Sequence, residues 1–592
     1  MRRHPLILAY VAALIPALAM AVTQPLWSLV DEAQHADFII QLSHGVYPAA
    51  DRTLISAETL HVTESTGVFR AFYPAGSYPT PDLSDVGLPP PGMSVRANAA
   101  WMRRHMWQLS HESVQTPIYY VAMVPVWWAA DRLGGPFAAI YALRIINALI
   151  VATLAPMVVA VARILIPTRP EVAVLGAILA ILLPGLDLNG TRISNDALAA
   201  AAGGILVLLA VRWSRDEWTW RRAAIGGLAL GAGMMVKITL AGLFPAMALS
   251  ALWPIAGTAW SGKLAKVLLT GVIAVACLAP WFLVNVQNYG ALTPGALAAR
   301  VSDALPGPLT ASFVALDLAV FVLTYWTGEP WGALPLAAPL AVLGGLIALM
   351  APVGVLKLLR TPALSAARGP VVAATLAVLG MVAVSLLLPV TASYEFVGPG
   401  RYVYPALPAL ATTCAIGMCA VLANAVARRS AAAAYAALAV IILAGGAAGL
   451  PAPPERGSGA PASDARIVSV GASGTMQGMS IRVDKVAFDA GARATWLEVT
   501  VSNSGPEEAE WTVPPIVFRG DVFANGDYLR STHLPGDIDA GQTVTGWLFI
   551  PIDPAGLAAN ESLHVRFPDV TADGYRTVGD IDLEIPLAGV VR

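Results

Sequence analysis

The sequence predicts a polytopic α-helical membrane protein that ends in an all-β domain of sandwich type. Three observations carry that prediction. The 592 residues are 57% hydrophobic and only 12% charged, with a mean hydropathy of +0.66, whereas soluble domains carry roughly 25% charged residues. Apolar runs close to the ~20 residues that cross a hydrocarbon core recur through the region 1–450. Beyond residue 466 the pattern becomes a period-two alternation, as in "WLEVTVSNSG", "TVTGWLFIPI" and "LHVRFPDV", broken by Gly, Pro, Asn and Asp turns.

The apolar runs lie at 5–28, 139–164, 171–186, 196–213, 222–236, 238–254, 264–285, 334–357, 370–391, 402–426 and 431–450, which makes about eleven spans. The first begins with a positive start, as a signal peptide does. Its apolar run is long enough to span and no small-residue cleavage site follows, so it is expected to be a retained helix. Several runs are short, the pattern of tilted or broken helices beside a cavity. A linker, PAPPERGSGAPASDA at 451–465, separates the membrane domain (1–450) from the β domain (466–592).

Lys and Arg concentrate in short cytoplasmic loops. Arg2 and Arg3, Arg212 to Arg222, Lys263 and Lys266, Lys357 to Arg368, and Arg428 and Arg429 fall on one side of this plan. The opposite short loops hold Arg192, Lys237, Arg300 and Arg401. The expected placement is a bacterial plasma membrane, with the N-terminus cytoplasmic and the β domain extracytoplasmic. Counting 114–133 as a span would invert every later loop. It is therefore laid on the outer surface, with Tyr119, Tyr120, Trp127 and Trp128 as an interfacial belt. A long polar first loop, about 29–138, results.

The net charge of −2 excludes a basic nucleic-acid binder. Cys277, Cys414 and Cys419 sit in apolar runs and read as small core residues, implying neither disulfide nor metal site.

Charged residues near spans are the informative ones, because a charge at bilayer depth costs about 2.5–3.5 kcal/mol. "LWSLVDEAQHADFIIQLSHG" leaves the first span and places Asp31, Glu32, His35 and Asp37 within seven positions. The bland account is an amphipathic surface helix with Phe38, Ile39 and Leu42 towards lipid. Asp196, with Arg192 and Asn195 beside it, opens a later span. Lys237 interrupts a glycine-rich helix, Arg401 opens another span, and Arg144 and Asn147 stand at the outer start of a fourth. Singly these are helix caps or snorkelling cations; together they place carboxylates and cations from separate helices on one external face, as a site requires.

No phosphate-cradling glycine loop, zinc spacing or serine elbow is present. Carboxylate and cation chemistry remains. A carboxylate can take a proton from an acceptor hydroxyl, and Lys or Arg can stabilise an anionic lipid-phosphate leaving group. Glycosyl transfer, with its oxocarbenium-like transition state, has those needs.

At these residues the chain resembles GT-C fold glycosyltransferases, the superfamily of protein O-mannosyltransferases and lipid A aminoarabinose transferases. "DEAQHADFIIQLSHGVYP" is similar to their first-loop acidic motif and "HESVQTPIYY" to their juxtamembrane segment, with Gln115-Thr116-Pro117 where many relatives have two prolines. "LRIINALI", "RISNDALA", "GAGMMVKITL", "NVQNYGALTP" and "GRYVYPALPAL" follow in the order of the bacterial branch of uncharacterised predicted members, so the likeness covers roughly 20–425. It implies a polyprenyl-phosphate-linked sugar as donor and an extracytoplasmic glycan, lipid or protein as acceptor. It also implies Asp31 as general base, with Glu32 orienting it or binding a metal. Lys237, Arg401 and Arg144 would meet the donor phosphate. His35, His111, Glu112, Asp196 and Tyr402 would line the pocket. Some relatives bind a divalent ion there; the sequence leaves that open.

Two alternatives belong to other classes: a lipid or solute transporter, and a non-catalytic envelope-assembly protein on the same scaffold. A transporter should show repeat symmetry and midplane charges. Here the charges cluster at outer helix ends and a long external loop follows the first span, which favours the enzyme. In the β domain, Trp496, Trp511, Tyr528 and Trp547 would stack on sugars if exposed, although strand spacing makes most of them core.

Overall fold

The computed structural model describes residues 4–24, 26–27, 31–50, 53–66, 110–253, 259–293, 311–328, 337–361, 366–391, 400–422, 424–447, 459–506, 509–511, 516–519, 522–525, 531–532, 534, 537–556, 562–572 and 576–587. The chain divides into two units. One holds Met1–Thr66 and Leu109–Leu450, and the described residues of the other all come from Pro451–Arg592. Much of the first loop, Tyr528 and most of the 451–465 linker lie outside the described residues.

The first unit is helical. Its helices are α1 (His4–Thr23), α2 (Glu32–Ser43), α3 (Ala57–Thr66), α4 (Ile118–Val151), α5 (Leu154–Leu165), α6 (Pro170–Ile181), α7 (Pro184–Thr191), α8 (Asp196–Trp213), α9 (Trp220–Met234), α10 (Phe244–Leu252), α11 (Trp260–Cys277), α12 (Ala279–Tyr289), α13 (Ala311–Thr327), α14 (Ala337–Arg360), α15 (Arg368–Thr391), α16 (Leu407–Val421) and α17 (Ala425–Ala447). Local sequence sets several boundaries. Pro170 occupies the first turn of α6 with Glu171 behind it, where the missing N–H costs nothing and a carboxylate meets the positive helix end. Thr219 caps α9 by accepting the Arg222 backbone N–H at 3.2 Å.

Among the described residues, eight helical stretches are long and apolar enough to cross a membrane, or nine if α6 and α7, bent by 51°, form one span. The eleven runs of the sequence exceed this count for a physical reason. The run at 222–236 forms a helix of only 15 residues, and 238–252 forms another short one, with Lys237 between them.

The stretch Ile118–Leu165 has 48 residues, about 70 Å of helix and far more than one crossing. It breaks at Gly134–Gly135, where Gly135 takes φ 74°, a conformation that glycine reaches without penalty. Tyr119, Tyr120 and Trp127, expected in an interfacial belt, are buried in protein; only Trp128 is exposed. Alternation of aromatic and small residues on this helix therefore marks a packing face. The amphipathic-surface account of α2 is overturned too: Phe38 and Ile39 are fully buried. Glycines allow close helix contact elsewhere, since a Cβ on Gly417 would lie 2.3 Å from the Met350 carbonyl oxygen, tying α16 to α14 by small-residue packing.

The second unit contains two sheets. One has the order β1-β2-β3-β8 (Arg466–Met476, Met479–Asp489, Ala494–Asn503, Thr543–Ile550). The other has the order β6-β5-β9-β4-β7 (Val522–Asn525, Ile516–Arg519, Ser562–Ala572, Ala509–Glu510, Asp537–Ile538), with β10 (Arg576–Pro586) also pairing β9. Leu497, Val499 and Val501 of β3 share one apolar core with Val565 and Phe567 of β9. Alternation thus buries one face of each sheet. Trp511 lies in that core, Trp496 stacks edge-on against Phe549 at 5.0 Å, and Trp547 packs beside them. None of these three tryptophans is an exposed sugar platform.

Candidate functional site

The site is built where α2 begins. Asp31 precedes the helix with φ 53°, and its side chain makes no capping hydrogen bond. An aspartate in that position ordinarily accepts an N–H of the first turn, so the left-handed backbone, uncommon for a residue with a Cβ, releases the carboxylate towards the segment His111–Val114. His111 Nε2 stands 4.0 Å from Asp31 Oδ1 and 3.6 Å from Glu112 Oε1. The Asp31 side chain keeps 39% of its exposure, whereas that of Glu112 keeps 10%.

Behind this trio sits His35, one helical turn along α2. Its Nδ1 hydrogen-bonds the Tyr120 hydroxyl at 2.7 Å and lies 3.5 Å from Glu112 Oε2. Burial pulls the His35 pKa below its ordinary value; Glu112 and Asp31 oppose that shift, Lys237 adds to it and Asp196 opposes it. His35 therefore feels both halves of the cluster.

The second half is Asp196, Lys237, Arg401 and Tyr402. Asp196 opens α8 and forms a buried ion pair with Lys237, and Arg401 Nε stands 3.6 Å from the other carboxylate oxygen. The Tyr402 ring lies 4.7 Å from Lys237 Nζ and 5.8 Å from the Arg401 guanidinium, within cation–π range. Lys237 and Arg401, expected at the donor phosphate, both face Asp196 as well. The set thus brings two cations to one carboxylate.

Two expected site residues serve elsewhere. Arg144 donates Nε to Glu32 Oε1 at 2.7 Å and a terminal nitrogen to Oε2 at 2.6 Å, and gives a third bond to the Gln24 carbonyl. Glu32 also accepts the Ile193 backbone N–H at 3.0 Å. Both side chains are essentially inaccessible. A bidentate, enclosed pair of this kind braces the first-span exit against α4 and the loop before α8. Arg144 and Glu32, expected at the donor phosphate and beside the base, are here engaged with each other.

Sequence reasoning passed over Tyr120 and Gln115 as site-building residues and named Asn195 only as a neighbour of Asp196. Asn195 donates to the Gln115 side chain and to the Val236 carbonyl, joining the segments that carry Glu112, Asp196 and Lys237. Tyr119 and Asn147 exchange hydrogen bonds below this level, and Asn147 also holds the Arg192 carbonyl. Asp37 belongs to the scaffold: it accepts from Ser56 N and Thr59 Oγ1 at 2.6 and 3.0 Å, and burial raises its pKa. The polar type of these residues at apolar-run edges was the available signal.

One oxygen or nitrogen each from Asp31, His111 and Glu112 lies within 4.8 Å of the others. Tetrahedral ligands at zinc distances stand about 3.3 Å apart, so the widest separation in the set would have to close by up to about 1.5 Å. An imidazole with two carboxylates suits zinc or a manganese-class ion. Glu112 Oε2 supports the fit, being buried without a hydrogen-bond partner among the described residues. Glu32, expected near any metal, is outside this set.

No curated protein matches the chain. A family model for predicted membrane proteins, DUF2142, matches residues 14–410, a stretch that includes every residue of the cluster and about two thirds of the 592 positions. The match, together with the helices long and apolar enough to cross a bilayer, makes this chain a membrane protein of the DUF2142 family.

Proposed function

We propose that the chain is a membrane glycosyltransferase of GT-C type, moving a sugar from a polyprenyl-phosphate donor to an extracytoplasmic glycan, lipid or protein. One observation carries this reading: a partly open carboxylate, Asp31, and two cations that share Asp196, namely Lys237 and Arg401, come from segments far apart in the chain, with His35 within electrostatic reach of Asp31, Asp196 and Lys237. The reading places these residues at the outer ends of the spans, with the segment 118–133 along the outer surface and the basic loops in the cytoplasm.

In the proposed step, Asp31 accepts the proton of an acceptor hydroxyl as the hydroxyl oxygen bonds to the anomeric carbon. The bond from that carbon to the phosphate oxygen breaks, and its electron pair leaves with the polyprenyl phosphate. Lys237 and Arg401 stabilise the departing anion. A single displacement inverts the anomeric centre. Asp31, His111 and Glu112 would hold a divalent ion, and the chemistry it would supply there is Lewis-acid charge.

A second observation supports a polar ligand here. Glu112 Oε2, Ser113 Oγ, Thr116 Oγ1 and Asn195 Oδ1 are buried without hydrogen-bond partners among the described residues. Leaving such a group unsatisfied costs about 1–3 kcal/mol, and the hydroxyls of a sugar would satisfy them. The test is to incubate membranes containing the protein with a panel of radiolabelled polyprenyl-phosphate sugars. Transfer of label from one donor to an envelope fraction supports the reading; absence of transfer from every donor counts against it.

A further inference from the structure

A second charged cluster lies at the other end of the same helices. α8 runs 18 residues from Asp196 to Trp213, about 27 Å, and α9 returns from Trp220 towards Lys237. The far ends of these helices meet the start of α11 at a shallow cleft lined by Trp218, Trp253, Lys263, Lys266, Asp216 and Glu217 among others. The cleft therefore sits about one hydrocarbon thickness from the Asp196–Lys237 pair.

Its lysines are held unlike surface lysines. Lys263 and Lys266 are 6% and 8% exposed, and they stand one helical turn apart on the same helix face. Their ammonium groups lie 5.5 Å from the Trp260 ring and 5.9 Å from the Trp220 ring, respectively. Lys263 Nζ donates to the Trp253 carbonyl at 3.4 Å, and Lys266 Nζ stands 3.9 Å from Glu217, whose side chain is 59% exposed. Each ammonium has three donors, more than these contacts use. The Trp218 indole N–H is buried with no acceptor among the described residues. Asp216 is engaged by Arg222 at 2.9 Å, so two lysines and Arg222 face two acids and one positive charge is left over. Enclosed like-charged ammonium groups beside an unsatisfied N–H call for an anion with several acceptor oxygens.

The neighbouring surface of α11 identifies the source of that anion. Leu264, Leu268, Val272 and Val275 are 49%, 68%, 65% and 55% exposed, an apolar stripe that runs down the helix from the level of the lysines. We propose that this cleft binds the phosphate of an anionic membrane phospholipid, with the acyl chains lying along the α11 stripe, on the membrane face opposite the carboxylate–cation site. The lysines hold the phosphate oxygens, Trp218 donates a further hydrogen bond, and Trp220 and Trp260 sit at headgroup level.

The test uses the full chain purified in detergent. Native mass spectrometry and thermal unfolding are followed with added phosphatidylglycerol, phosphatidylcholine or inorganic phosphate. Phosphatidylglycerol is expected to remain bound and to raise the Tm, and phosphatidylcholine to do neither. Lys263→Gln combined with Lys266→Gln should lower retention by at least about tenfold, while Lys263→Arg with Lys266→Arg retains it. Should the glutamine variant fail to fold, Trp218→Phe serves: reduced retention supports the site. Equal retention of both lipids, unchanged retention in a folded glutamine variant or in Trp218→Phe, or displacement of the lipid by millimolar inorganic phosphate would each overturn the proposal.

Discussion

Arg144 grips Glu32 with two charge-assisted hydrogen bonds of 2.7 and 2.6 Å across a separation of 112 positions. Removing either partner strands a buried charge, which costs about 3–5 kcal/mol. Arg144→Ala and Glu32→Ala should both lower the Tm sharply and reduce yield on size-exclusion chromatography. A Tm within a degree of wild type for either variant would show that the brace contributes nothing.

Asp31 contrasts with its neighbour. It is partly exposed and makes no capping bond, so Asp31→Asn is expected to change stability by less than about 0.5 kcal/mol. Thermal unfolding of Asp31→Asn beside Glu32→Gln separates the two acids, with only the second destabilised.

Lys237 and Asp196 form a buried pair, and Arg401 stands farther off with a side chain 17% exposed. Lys237→Met should destabilise by leaving buried Asp196 only the more distant Arg401, and adding Asp196→Asn should restore part of the loss. Under the proposed function Arg401→Ala raises the KM for the donor more than that for the acceptor. Equal effects on both substrates would remove its phosphate role.

The spatial logic was only partly legible in the sequence. Acids, histidines and cations at run edges pointed to the cluster, because polar groups beside apolar runs stand out against their surroundings. Which of two adjacent acids would be enclosed was not legible: Asp31 and Glu32 differ by one position, and the side of the helix start decides it. Arg144 reads the same from sequence whether it meets Glu32 or a ligand. Tyr119 and Tyr120 look like a membrane belt until the packing of α2 covers them. The β domain was easier to read, since a period of two maps directly onto the buried face of a strand.

His35 gives a pH signature. Burial depresses its pKa below 6.5, so in the interval beneath 6.5 the unfolded chain binds a proton that the folded one refuses. Stability should consequently fall as pH drops through that interval and be fully present above it. Thermal unfolding between pH 5 and pH 7.5, as a round working range about the ordinary histidine value, should show this slope, and His35→Gln should flatten it. An unchanged slope would assign the dependence to another group.

Asp31, His111 and Glu112 make metal binding measurable without any activity. Chelator-stripped protein titrated calorimetrically with zinc or manganese is expected to take up one ion, with His111→Ala and Glu112→Gln each weakening it by at least about tenfold. No heat above that of the buffer with either ion would exclude the site.

The most direct measurement is sugar transfer by reconstituted protein, wild type against Asp31→Asn, with the polyprenyl-phosphate donor that labels membranes best. The account predicts loss of turnover by at least about a hundredfold in the variant, with donor binding and Tm retained. Undiminished transfer by a folded Asp31→Asn protein would contradict it.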